Sequence, residues 1–260
     1  MFLISRIGII LNNNRQAGVT CIIPARNESG HIEEVVSHAL SIPEISEIVI
    51  IEGGSTDDTW ARIKEIKQKT PELVRCFQQT GKGKFNAVLL GASEAQFKYS
   101  IIWDADGTVP IECTKKILHH SLTTGNATMG DRLRGNIEKS AMQPANFLGN
   151  WAFAILWSPV VNSKPRDMLC GTKVFETDVF ISIPSELRNS DPYGDFALVA
   201  TARLLGKKVD SVIVDYKART YGETNIHRWS GGVSLLKTSA LVYKMIIKKR
   251  LYESKFKKIL

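Results

Sequence analysis

The chain has 260 residues, 43% hydrophobic and 23% charged, which suits one large globular domain or two small ones. Its net charge of +8 is unevenly spread: residues 244–260 hold seven Lys/Arg against the single acid Glu253, which leaves +2 for the other 243 residues. A basic surface is therefore expected of the tail alone, a nucleic-acid-binding body is not expected, and no apolar run reaches the roughly 18–20 residues that span a bilayer.

"MFLISRIGII" opens an N-terminal extension over 1–17. It is short, is interrupted by Arg6 and has no clear small-residue cleavage site, which disfavours a signal peptide. "VTCIIPA" (19–25) reads as a buried strand ended by Pro24. Ile32, Val35, Val36, Ala39 and Leu40 then fall at helical spacing behind a Ser29 cap. "SEIVIIE" (46–52) is a second strand. Ser55 and Asp58 form a capping-box-like pair before the helix of Trp60, Ile63 and Ile66. "LVRCF" is a third strand, followed by "GKGKFN", the helix "AVLLGASEAQF" and a fourth strand, "SIIW". This βα alternation implies a Rossmann-like, three-layer α/β/α architecture with a mostly parallel central sheet.

The second half is less regular. An aromatic, apolar segment covers 146–161, "CGTKVF" reads as a strand, "GDFALVATARLL" as a helix and "KKVDSVIVDY" as a strand. "YGETNIHRWSGG" reads as a loop, and residues 233–260 as a basic, partly amphipathic helix. Cys21, Cys76, Cys113 and Cys170 have no metal or redox spacing, and reduced thiols of a cytosolic protein are expected.

Ligands of such sheets bind beyond the carboxyl ends of the strands. Those ends carry "ARNES", "EGGSTDD", "GKGK" and "DADG", all polar or glycine-rich. "IIWDADGTVP" admits three chemistries. It resembles the first motif of haloacid dehalogenase-like phosphatases, with Asp104 as nucleophile and Asp106 as general acid. The later acidic motif of that family is missing: Val199 stands four residues beyond Asp195. A calcium loop fails, because Thr108 and Val109 occupy its fifth and sixth positions. The third chemistry is a clamp for a divalent cation, Mg²⁺ or Mn²⁺. Residues i and i+2 of an extended segment point the same way, so Asp104 and Asp106 can converge on one ion that neutralises a diphosphate. The alternative for this pair is helix capping ahead of Pro110.

"CIIPARNES", "VIIEGGSTDDT", "GKGKFNAVLLG" and "IIWDADGTVP", in this order and spacing, resemble the nucleotide-binding half of family 2 glycosyltransferases, which have the GT-A fold. "GDRLRG", "DMLCGTKVF", "DPYGDFALV" and "ARTYGETNI" resemble the dolichol- or polyprenol-phosphate hexosyltransferase branch. The resemblance covers about residues 18–232 and places the GT-A domain there. It implies that Pro24, Ala25, Arg26, Asn27 and Glu28 touch the nucleoside, with Glu52, Gly54 and Ser55 beside the base or ribose. Gly53 replaces the usual second acid of that motif. Lys82 and Lys84, ahead of a helix, face phosphate or solvent. Asp104, Ala105 and Asp106 form the diphosphate side, with the two acids as metal ligands and Asp106 the better candidate.

The resemblance also makes Asp195 a catalytic candidate. It would deprotonate an acceptor hydroxyl during inverting attack; a phosphate acceptor needs no base, and Asp195 would then orient it or cap a helix. Arg132, Arg219 and Arg228 are candidates for neutralising approaching phosphates. The implied function is transfer of a hexose from a UDP- or GDP-linked sugar to a membrane-associated polyprenyl phosphate. A glycan hydroxyl is the alternative acceptor, and a non-catalytic membrane-binding module a further reading. Trp151, Phe153 and Trp157, with the basic tail, suit a peripheral position on the cytoplasmic face of a membrane; the alternative is that the aromatic segment is core and the tail a solvated helix or an oligomer contact. Neither the sugar nor an oligomeric state is specified.

Overall fold

The computed structural model describes residues 15–161, 167–220 and 228–256, the side chains of 228–230 and 252–256 excepted. The apolar run around Cys21 becomes β1 (Gln16–Ala25), three residues longer at its start than the pattern suggests. Next, α1 (Ile32–Leu40) buries Ile32, Val35, Val36 and Ala39, the stripe its spacing predicts. The expected Ser29 cap is not what closes its first turn. The Glu28 carbonyl does so, accepting from the His31 and Ile32 amides at 3.0 Å each.

After β2 (Ile45–Glu52) comes α2 (Thr59–Lys69). The Ser55–Asp58 capping box does not form. Asp57 accepts from the Thr59 amide at 3.0 Å, while Ser55 Oγ accepts from the Asn27 amide at 3.0 Å. Asn27 has the left-handed backbone, φ 56°, that folds the β1 loop over the β2 loop and draws Ser55 away.

The alternation continues with β3 (Val74–Gln78), α3 (Lys84–Glu94), β4 (Phe97–Ile102) and α4 (Ile111–Thr124). A short strand, β5 (Ala127–Asp131), which hydrophobic patterning did not reveal, precedes α5 (Pro144–Val161). β6 (Lys173–Glu176), α6 (Thr177–Ile181), α7 (Ser185–Ser190), α8 (Asp195–Leu204), β7 (Val209–Ile213) and α9 (Arg228–Phe256) follow. Residues 228–232, expected in a loop, are the start of α9; residues 221–227 of that loop lie outside the described residues.

The strands form one sheet in the order β3-β2-β1-β4-β6-β5-β7. It is mostly parallel, and β6 runs antiparallel to both β4 and β5. Strand alternation feeds two cores, one per face. Ile22, Ile102 and Phe175 meet Val88 of α3, Trp157 of α5 and Phe196 of α8. Cys21, Ile23, Ile101 and Val174 meet Val35 of α1, Ile63 of α2 and Ile117 of α4. Full burial of each such side chain contributes roughly 1.5–3 kcal/mol, so these layers fix where the strand ends lie. Leu235 and Val242 place α9 in the same core as Phe196. The four cysteines are free, and all but Cys76 are fully buried.

Candidate active site

The loops after β1 and β2 are knitted together. Asn27 Oδ1 accepts from the Thr56 amide at 2.8 Å, and the Glu28 amide donates to Thr59 Oγ1 at 2.9 Å. Glu52, 2% exposed, accepts from the Ser55 amide and from Gln78 Nε2 at 2.9 Å. Burial opposes its charge, but those hydrogen bonds prevail and lower its pKa. Its carboxylate therefore closes the β2 turn, and Gly54 completes that turn at φ 75°. Pro24 is half-buried, Ala25 buried and Arg26 exposed.

β4 delivers the two aspartates. Asp104 is paired with Lys84 Nζ at the start of α3. Burial opposes ionisation of Asp104, yet Lys84 outweighs it and holds the carboxyl low, with Arg132 and Lys173 adding to the effect. Asp106 Oδ1 accepts from the Thr108 amide at 3.1 Å and Thr108 Oγ1 at 2.9 Å, while Oδ2 receives Arg219 Nη2 at 2.7 Å. Asp106 thus turns the chain toward α4 and still offers an oxygen to the site. Ala105 between them is buried.

Arg219 also donates to Glu28 Oε1 at 3.0 Å, so it bridges the β1 loop and the aspartate loop. Burial pushes the Glu28 carboxyl up to about 7; Arg219 pulls it down, while Asp106 and Asp104 push it further up. Its Oε2 is buried with no hydrogen-bond partner. Three acids therefore crowd one place and are balanced by Lys84 and Arg219. Gly171 makes room for this: a Cβ there would overlap Asp104 Oδ2 and press on Lys84 Nζ.

The second half contributes through β6. Lys173, its first residue, pairs with Ile102 of β4 and Met129 of β5, and is wholly buried. Its ammonium forms an ion pair with Asp195. Asp195 opens α8 but does not cap it. That role belongs to Asp191, which accepts from the amides of Phe196 at 2.9 Å and Ala197 at 2.8 Å. The capping alternative for Asp195 is thereby corrected, since Asp191 occupies the amides it would need.

Arg132, expected among phosphate ligands, is engaged otherwise. It grips buried Asp167 through Nε at 2.6 Å and Nη2 at 3.0 Å, and its guanidinium stacks 4.8 Å from the Tyr216 ring. Asn150 of α5 donates to the same Asp167 at 2.5 Å. Lys82 is exposed, whereas its neighbour Lys84 reaches the acids. The side chain of Arg228 lies outside the described residues. Sequence reading missed Asp167, Gly171, Lys173 and Asp191. Only Lys173, a charge within the apolar strand pattern "CGTKVF", gave a signal.

Among the described residues, no group of three or more His, Cys, Asp or Glu side chains is gathered tightly enough to hold an ion. The donor set nevertheless fits a hard divalent cation. It offers carboxylate oxygens of Asp104 and Asp106, two residues apart, near Glu28 Oε2, which has no hydrogen bond and lies 3.9 Å from His31 Nδ1.

Residues 20–187 match the family model "Glycosyl transferase family 2". The chain is 30% identical over 128 residues to Poly-beta-1,6-N-acetyl-D-glucosamine synthase of Staphylococcus aureus (strain MSSA476), covering 48% of this chain and 31% of that protein. It is 31% identical over 117 residues to Dolichol-phosphate mannosyltransferase of Pyrococcus furiosus, covering 44% and 33%. The matched region spans about a third of the length of these curated relatives. Among solved structures, glucosyl-3-phosphoglycerate synthase from Mycobacterium tuberculosis in complex with UDP superposes with a TM-score of 0.63 at 18% identity, over 88% of this chain and 80% of that one. The same enzyme with Mn²⁺, UDP-glucose and phosphoglyceric acid gives a TM-score of 0.62 at 18% identity, over 87% and 80%. The likeness establishes the GT-A fold that the sequence motifs imply.

Proposed function

Because the chain belongs to glycosyl transferase family 2, we propose that it moves a hexose from a UDP- or GDP-linked sugar to a polyprenyl phosphate, with inversion at the anomeric carbon. The observation that carries this reading is the acid cluster of Glu28, Asp104 and Asp106 at the carboxyl ends of β1 and β4, balanced by Lys84 and Arg219. Carboxylates alone would repel a diphosphate; interleaved with cations and a divalent ion, they hold one.

Asp104 and Asp106 would hold Mg²⁺ or Mn²⁺, which neutralises the charge of the departing nucleoside diphosphate. Lys84 and Arg219, now bound to those carboxylates, are the residues positioned to turn toward phosphate oxygens when the ion takes their place. Asn27, Glu52 and Ser55 fix the shape of the nucleoside loop, and Gly54 and Arg26 form its accessible edge. The nucleoside diphosphate bound by M. tuberculosis glucosyl-3-phosphoglycerate synthase supports a UDP-linked donor, and the dolichol-phosphate mannosyltransferase likeness supports a lipid phosphate acceptor. Such an acceptor brings its own negative charge and needs no base. Asp195, fixed by Lys173, would then align it. The free thiols fit the cytoplasmic face of a membrane.

One observation favours a second reading, a glycan hydroxyl acceptor. Asp195 is not used as a helix cap, which leaves its second oxygen for a proton.

Titration of UDP, GDP and their sugars with and without Mn²⁺ tests the donor side. Binding should strengthen with Mn²⁺, and Asp106→Asn should abolish the gain; unchanged binding in that variant defeats the clamp. Asp195→Asn should strongly impair transfer to a hydroxyl and largely spare transfer to polyprenyl phosphate, which separates the two acceptors.

A further inference from the structure

α5 is an 18-residue helix with no charged side chain. One side of it enters the core through Ala154, Trp157, Val160 and Val161. The other side leaves Leu148, Trp151 and Ile155 exposed by 63%, 50% and 54%. Soluble helices normally charge their outer face, so an uncharged outer face marks a contact surface.

α9 extends that surface. Trp157 Nε1 donates to Ser239 Oγ at 2.9 Å, and the Tyr243 hydroxyl donates to the Leu156 carbonyl, which lock the two helices side by side. Between them runs a groove of about 910 Å³ lined by Leu156, Leu236, Ile247 and Leu251, with Lys244 and Lys248 among its walls. Both lysines are exposed, as is Lys237.

We propose that the joined outer faces of α5 and α9 dock the protein onto an anionic lipid bilayer, with α5 lying in the interface and the α9 lysines against lipid phosphates. Charge selects this occupant. A second copy of the chain would set Lys244 and Lys248 against their own kind, and the sequence from 228 to 256 offers Glu253 as its only acid. A large apolar face rimmed by lysines matches acyl chains below and phosphates above. No helix among the described residues is long and apolar enough to cross a membrane. The inference deepens the lipid-phosphate reading and rests on it for the choice of partner.

The test is co-sedimentation of the full chain with phosphatidylcholine vesicles and with vesicles containing phosphatidylglycerol. The wild type should prefer the anionic vesicles. Leu148→Glu with Ile155→Glu should lower that binding, and Lys244→Gln with Lys248→Gln should independently lower it by roughly tenfold or more. These are surface positions, so Mn²⁺-dependent nucleotide binding in solution should persist in every variant. Equal binding to both vesicle types, or wild-type-like binding by both double variants, overturns the assignment. So does a dimer in light scattering that Ile155→Glu dissociates without any effect of lipid. If vesicle binding behaves as expected but no hexose reaches polyprenyl phosphate, the docking face stands and the acceptor reading falls.

Discussion

Lys173 and Asp195 form an ion pair in which the ammonium is fully buried and the carboxylate 15% exposed. The lysine comes from the first residue of an antiparallel strand and the acid from the first turn of α8. Two otherwise unconnected elements are thereby held in register at the edge of the site.

Lys173 holds Asp195 in place. Lys173→Met should lower kcat toward a hydroxyl acceptor by about tenfold or more, leave the donor KM nearly unchanged and largely spare transfer to polyprenyl phosphate, and Lys173→Arg should restore part of the lost rate. Asp195→Asn strands a buried cation, so its unfolding free energy should drop by about 3–5 kcal/mol, more than that of Lys173→Met. Urea titration of the two variants checks the order; the reverse order refutes it.

Gly171 is where backbone meets the Asp104–Lys84 pair. Gly171→Ala should displace Asp104 and weaken Mn²⁺-dependent nucleotide binding by at least roughly tenfold. Stability should fall by only about 1–3 kcal/mol, the usual cost of one added methyl in a packed place. Isothermal titration beside thermal denaturation separates the two effects.

Arg132 serves Asp167 before it serves any ligand. Arg132→Ala leaves a fully buried carboxylate unpaired and should cost about 3–5 kcal/mol in chemical denaturation. Arg132→Lys keeps the charge but loses the two-pronged geometry and the stacking on Tyr216, so it should fall between wild type and alanine.

Glu28 sets a pH dependence. Its folded carboxyl is raised by burial from an ordinary 4.5 to about 7, so folding favours the protonated form. That contribution is complete below about 4.5 and disappears as pH climbs through about 7, a change of roughly 3 kcal/mol. Relative to Glu28→Gln, the wild type should therefore lose stability as pH rises from about 5 to about 8. A difference that stays flat across this interval contradicts the raised carboxyl.

The first half of the fold was readable because each strand is a contiguous apolar run and each helix shows a regular stripe. β5, "ATMGD", is too short and mixed for any such pattern, and β6 gave no hint of its direction. Asp104 and Asp106 were legible as a spaced pair ending a strand. Lys84 and Arg219 stood out as cations in polar motifs, but their pairing with these acids did not, because tertiary packing around Gly171 brings them together. Arg132 looked like a ligand in a polar loop. Its true neighbour, Asp167, is 35 residues away and distinguishable only by burial. Asp195 and Asp191 sit four residues apart, and local sequence does not say which of the two caps the helix.

The reversed strand β6 also constrains how the chain comes together. β5 is synthesised before β6, yet β6 must lie between it and β4. Until residues 173–176 arrive, β4 has an open edge, and β5 has no partner on that side. Completing the sheet requires contacts of long sequence separation, which form slowly and leave apolar edges exposed meanwhile. The same insertion carries Lys173 to Ile102, two residues from Asp104. A chain halted before β6 would display Asp104 and Asp106 on an unfinished sheet, without the lysine that anchors Asp195. Closure of the sheet and formation of the Lys173–Asp195 pair are thus a single folding event.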